Sequence, residues 1–198
     1  MNEREFFCQR HQAEFPTFDR VLDALPLTQF TYRPHDRSPS TLDLVWTLAN
    51  EMSACSAMID RGEVHWALEE APSAEQAVKA FRERYQALEE RVNHVGEEHW
   101  KRPAKLYVGE QLIMEQPLGK FLWYLFFDAI HHRGQLSTYI RPMGGKVPSI
   151  YGPSGDDPGM WQSKGLSRYG SRRLPPGCQC GRAQDVPPKH PRKRTERL

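Results

Sequence analysis

The densest chemistry in the 198-residue chain is the run Asp128-Ala-Ile-His131-His132-Arg133-Gly-Gln135. Asp128 and His132 stand four residues apart, so on a helix they share one face, a turn from each other. A carboxylate and an imidazole aimed into a helical core can supply two ligands to a metal ion, with a third from a facing helix. The same pair can serve as orienting carboxylate and general base. It can also be a buried hydrogen-bonded pair that only holds the core together. His131 lies about a quarter-turn away and reads as a core or interface histidine. Arg133 reads as the partner of an acid or a carbonyl, with an anionic substrate as its other use.

Four helical segments must position these groups. The first runs from about Asn2 to Ala24, with Phe6, Phe7, Phe15, Phe18, Val21 and Leu22 at helical spacings; Pro16 predicts a kink or a break within it. A proline-held connector, Tyr32 to Pro39, leads to a second helix that starts at Ser40-Thr41, with Asp43 in its first turn, and ends at Arg61-Gly62. Ser73 and Gln76 form a capping-box pattern for a third, which Gly96 closes. Residues 97–116 are less regular, and Leu106 to Met114 around Gly109 reads as a short hairpin or a loop. The fourth and most apolar segment runs from Leu118 to Arg141, opened by Pro117 and stopped by Pro142 and Gly144-Gly145. Trp46, Trp66, Trp123, Tyr124 and Tyr139 either pack as core or line a cavity near the Asp128–His132 face.

Charge divides the chain in two. Lys and Arg number 27 and Asp and Glu 25, a net +2, but residues 161–198 alone hold ten Lys or Arg against two acids. That tail also carries five prolines and few aliphatic side chains, which predicts a disordered basic extension after a folded domain over 1–160. Nucleic acid is at most a weak partner, through this tail. Cys178 and Cys180 lie in it without the spacing of a four-ligand zinc site, and Cys8 and Cys55 read as core or idle thiols. No apolar run approaches the roughly 20 residues that span a bilayer, and the charged start lacks a signal peptide's apolar core. These features predict a cytoplasmic protein without a membrane partner. A Gly-x-Ser-x-Gly run and a phosphate-cradling glycine motif are both absent, which argues against a serine hydrolase of that pattern and a nucleotide enzyme.

The stretch from Asp128 to Arg141, and Met143-Gly-Gly-Lys-Val-Pro-Ser-Ile-Tyr-Gly-Pro-Ser154 after it, resembles the DinB-like (DinB/YfiT) superfamily, as do Tyr32-Arg-Pro-His35 and the helix that follows. The resemblance implies an all-α, up-down four-helix bundle with a long irregular link before its last helix. It further implies a homodimer, and a pocket between the second and fourth helices that takes a divalent metal such as nickel or zinc. The family's site uses a histidine on the second helix and two ligands four apart on the fourth. His132 falls on the last of these, and Asp128 falls where many members carry histidine. Thr47 stands at the second-helix position, and a hydroxyl is a poor ligand for these metals. Glu51, one turn further along, could restore the third ligand. The expected set is Asp128, His132 and Glu51 on the metal, with Thr47, His131, Arg133 and Tyr139 in the pocket. The implied function is a metal-dependent enzyme of the thiol S-transferase or hydrolase type, acting on a thiol or another small molecule. The alternative is a catalytically silent dimer that serves as a binding or stress-response module.

Overall fold

Three of the long helices begin with the same device. Asn2, Ser40 and Ser73 each accept a hydrogen bond from the backbone three residues on, and Glu5, Asp43 and Gln76 reach back to the cap amide. These reciprocal bonds satisfy donors that a helix start leaves orphaned. The resulting helices are α1 (Glu3–Asp23), α2 (Thr41–Arg61) and α3 (Ala74–His94), followed by the single turn α4 (Glu97–Trp100) and the long α5 (Leu118–Tyr139). The computed structural model describes residues 1–67 and 69–160, so the basic tail read from the sequence over 161–198 lies outside the described residues. Among the described residues, no helix is long and apolar enough to cross a membrane.

The all-α expectation is corrected by a three-stranded mixed sheet. Strand β1 (Glu63–Trp66) pairs parallel with β2 (Pro103–Val108), which pairs antiparallel with β3 (Gln111–Pro117). The long link before α5 is therefore not irregular, and the fold is not a pure four-helix bundle. The hairpin read as one alternative around Gly109 is β2–β3, and two features hid the sheet's third strand, β1. Gly62, at φ 76°, closes α2 in the left-handed region and lets a strand begin at the next residue. That strand is four residues long with one buried side chain, Val64, too short for an alternation to register. Its partner lies far along the chain, at Leu106 opposite Val64. Of the two outcomes expected at Pro16, a kink or a break, the break does not occur: the residue lies inside α1 without ending it. One amide donor is lost there, but Phe7, Phe18, Val21 and Leu22 are buried on either side of it and keep both halves against the core.

Helix α2 packs against both α3 and α5, and α1 closes the far side against the same two helices. Arg82 ties α3 to Asp19 and Asp23 of α1, and Arg91 ties it to Asp60 of α2. One buried ion pair fixes α5. Arg133, 2% exposed, donates to Glu14 Oε2 at 2.6 Å and to the Thr17 hydroxyl, with its guanidinium over the Phe18 ring. The segment after α5 folds back over the same place. Tyr151 donates its hydroxyl to Glu14 and accepts from Arg133, Arg20 holds the Ser149 carbonyl, and the Asp156 and Asp157 carboxylates take backbone amides of Val147, Ser149 and Gly159. Burial alone would push the Glu14 carboxyl up. The hydrogen bonds from Arg133, Tyr151 and Thr17 reverse this and leave it below the usual carboxylate range.

His11 of α1 is buried without such help. Its ring is 1% exposed, stacks 3.8 Å from Tyr85 of α3 and touches Phe7 and Phe126, and neither nitrogen has a hydrogen-bond partner. Burial pushes its pKa down from 6.5 to about 3. The folded value lies below the unfolded one, so the fold prefers the neutral ring. This contribution is complete above pH 6.5 and is lost as pH falls toward 3, by up to about 1.4 kcal/mol per pH unit. Urea unfolding followed by circular dichroism is expected to show stability falling, relative to a His11→Phe variant that retains every buried carboxyl, between about pH 6.5 and pH 4.5. Two parallel stability–pH curves would place the acid sensitivity elsewhere.

Candidate metal centre

The inward stripe of α2 reads Leu44, Leu48, Glu51, Cys55, Met58, spaced four, three, four and three, and all five residues are buried. An acid thus occupies a position whose neighbours above and below are core. Glu51 is 1% exposed, and its Oε2 has no hydrogen-bond partner. Burial pushes its carboxyl well above the usual carboxylate range, and the adjacent Asp128 pushes it further. Left without a cation, this is a costly residue to bury.

Helix α5 answers it with Asp128 and His132. His132 Nε2 lies 3.5 Å from Glu51 Oε1 and 3.7 Å from Asp128 Oδ2. All three candidate ligand atoms lie within 4.8 Å of one another. Two donors each about 2.1 Å from a tetrahedral ion stand about 3.4 Å apart, so small side-chain adjustments would bring the three onto one point. The other ring nitrogen of His132, Nδ1, is 2.9 Å from Gln135 Oε1. With the amide oxygen on this side, Nδ1 donates to Gln135, which leaves Nε2 facing the two carboxylates and available to a cation when it carries no proton. A second-sphere acceptor of this kind is how metal-binding histidines are commonly oriented. The burial gradient runs from Glu51, sealed in the core, through His132 to Asp128, whose side chain is 42% exposed. The orphaned Glu51 oxygen and a donor set of two carboxylates and one imidazole fit a divalent cation.

The remaining residues singled out in the sequence lie elsewhere. Thr47 donates its hydroxyl to the Asp43 carbonyl of its own helix at 2.8 Å. His131 is exposed, its ring centroid 5.5 Å from that of His132. Arg133 points to Glu14, and Tyr139 packs edge-on against Tyr32 with its hydroxyl on the Pro39 carbonyl. Cys55, one turn beyond Glu51, is fully buried with its thiol pushed up, which keeps it protonated and unreactive. Gln135 belongs to the polar run read from the sequence, but its role as partner of His132 was not read there, although the i+3 spacing allows it.

The family model described as "DinB family" matches residues 1–163. The chain belongs to the DinB family. Among solved structures, it is similar to a DinB-like protein from Bacillus cereus, with a TM-score of 0.62 and 19% identity over 74% of this chain and 97% of that one. A DinB-like protein from Bacillus subtilis gives a TM-score of 0.56 and 17% identity, covering 71% of this chain and 93% of that one. A mycothiol-dependent maleylpyruvate isomerase gives 0.52 and 11%, covering 72% and 61%. At these identities the likeness is one of fold. The uncharacterised protein YrdA of Bacillus subtilis is 37% identical over 60 residues, 30% of this DinB-family chain and 32% of that protein. The match thus spans about a third of that relative's length.

The unsatisfied Glu51 carboxyl has a measurable consequence without any ligand. Glu51→Gln removes the ionisable group while keeping its shape. It is expected to stabilise the metal-free protein at neutral pH by about 1–3 kcal/mol, read from urea unfolding in chelator. Destabilisation of that size would instead mark Glu51 as a structural hydrogen-bonding residue.

Proposed function

We propose that this DinB-family chain is a metal-dependent enzyme of the thiol S-transferase or hydrolase type, with its ion held by Glu51, Asp128 and His132. The observation that carries the reading is a buried carboxyl with an orphaned oxygen, facing Nε2 of a histidine whose Nδ1 is held by Gln135. Three protein ligands with an open position are the pattern of catalytic rather than structural zinc sites. The likeness to an isomerase described as mycothiol-dependent supports a thiol as one substrate. A divalent ion in such a site lowers the pKa of a thiol or water bound to it, supplying a nucleophile at neutral pH. The chain's own groups set the geometry. Glu51 closes the core side, Gln135 holds the imidazole, and half-exposed Asp128 leaves the solvent side open to a small molecule.

One observation favours the alternative, a catalytically silent module. Thr47 stands where the family resemblance puts a histidine, and its hydroxyl is bonded to Asp43. Elemental analysis after zinc or nickel loading separates the two readings. About one ion per chain is expected in the parent, none after His132→Ala, and affinity about 10–100-fold weaker after Gln135→Leu. Purified protein that takes up neither metal would leave only the silent module.

We also propose that the chain forms a homodimer through α1 and α5. Phe6, Trp123, Phe127 and Ile130 line an apolar groove of about 520 Å³, with Phe127 62% exposed and opposite charges, Glu3 and Arg10, among the lining groups. A two-fold interface lets such charges pair across copies. Gly134 lies inside α5 with open space where a side chain would stand. An interior helix glycine costs roughly 0.5–1 kcal/mol, which the close approach of a second copy would offset. Sedimentation is expected to show a dimer that Phe127→Glu converts to folded monomer. A parent protein that sediments as a monomer at micromolar concentration would contradict it.

A further inference from the structure

A second cavity, of about 270 Å³, opens between α2, β1 and α3, and none of Glu51, Asp128 and His132 lines it. Its two arginines, Arg61 and Arg84, have no carboxylate partner among the described residues. Arg82, Arg91, Arg133 and Arg141 all pair with carboxylates at 3.0 Å or less. Arg84, by contrast, lies 4.6 Å over the Trp46 ring and donates one bond, to the neutral Asn50 side chain at 2.8 Å. Arg61, on the same outward face of α2, has no hydrogen-bond or ion-pair partner among the described residues. The aromatic face and the amide hold the Arg84 guanidinium in place without neutralising it, and most of its five N–H donors stay free. Against these two charges the described lining holds one acid, Glu69.

The rest of the lining is suited to an apolar body. Ala57 of α2 keeps the floor low, and the half-buried Trp66 of β1 stands beside it. Strand β1, which sequence reasoning missed, therefore builds this cavity, because it brings Trp66 next to α2. A planar guanidinium is the group of choice for two-point recognition of a carboxylate. We infer that this cavity is a binding site for a small organic carboxylate, its charged end on Arg61 and Arg84 and its apolar body against Ala57 and Trp66. This site is independent of the proposed metal centre.

Benzoate titrated into the full-length protein tests the inference. Calorimetry is expected to show one saturable site, with the indole N–H signals of Trp46 and Trp66 shifting in a ¹⁵N spectrum and those of the other tryptophans still. Arg84→Gln and Arg61→Gln are each expected to weaken binding at least tenfold, and Glu69→Gln to tighten it. Ala57→Met fills the floor with every charge retained and is expected to abolish binding, with folding checked by circular dichroism. Glu51→Gln, or chelator, is expected to leave the affinity unchanged, which separates this site from the metal centre. No benzoate binding would overturn the inference. So would binding that survives both arginine changes, which would place the anion elsewhere on the chain, or inorganic phosphate binding as tightly as benzoate, which would remove the apolar body.

Discussion

The direction in which α5 faces depends on Arg133. A guanidinium this deeply buried must be fully met by acceptors, because an unpaired charge in the core is among the most costly defects a fold can carry. Glu14 and the Tyr151 hydroxyl meet it from one side, with the Phe18 ring against its face. That contact pins the rotation of α5 relative to α1. Successive helix residues point about 100° apart, so with Arg133 aimed at α1 the preceding His132 is turned toward α2. The same pin holds the segment after α5, through Tyr151, so the C-terminal fold-back and the candidate metal centre share one anchor.

Two glutamates buried in one small core show how the environment divides structure from chemistry. Glu14 accepts from an arginine, a tyrosine and a threonine, and is held ionised. Glu51 has a histidine and a second acid for neighbours, keeps one oxygen unbonded, and is pushed toward its protonated form. The first is an ion that the fold has already neutralised. The second keeps one oxygen, Oε2, that no group among the described residues satisfies. A cation placed beside it would supply what Arg133 supplies to Glu14, and the imidazole that Gln135 orients stands ready on the other side of the same point.

Much of this was legible in the residues. The caps at Ser40 and Ser73, the stop at Gly62 and the extent of α5 follow from local chemistry, since each depends on groups within one turn. The shared face of Asp128 and His132 follows from helix geometry alone. What escaped needed non-local information. Strand β1 exists because β2, far along the chain, supplies its partner, and four residues with one buried side chain carry no period of their own. Pro16 sits inside an intact α1 because core contacts on both sides outweigh one missing hydrogen bond. Glu51 was reached by its spacing from Thr47, while a stronger signal went unread: it is the acid in the apolar stripe Leu44, Leu48, Cys55, Met58. The role of Gln135 was missed because an amide next to a histidine gains meaning only when its oxygen is seen on the ring nitrogen.

The most direct test of the metal centre is anomalous diffraction at the zinc edge from crystals of the zinc-loaded full-length protein. A single strong peak is expected about 2.0–2.2 Å from a carboxylate oxygen of Glu51, a carboxylate oxygen of Asp128 and Nε2 of His132. A featureless map at that point, or zinc held instead by Cys178, Cys180 and His190, would contradict the centre and leave Glu51 as an acid buried without a function.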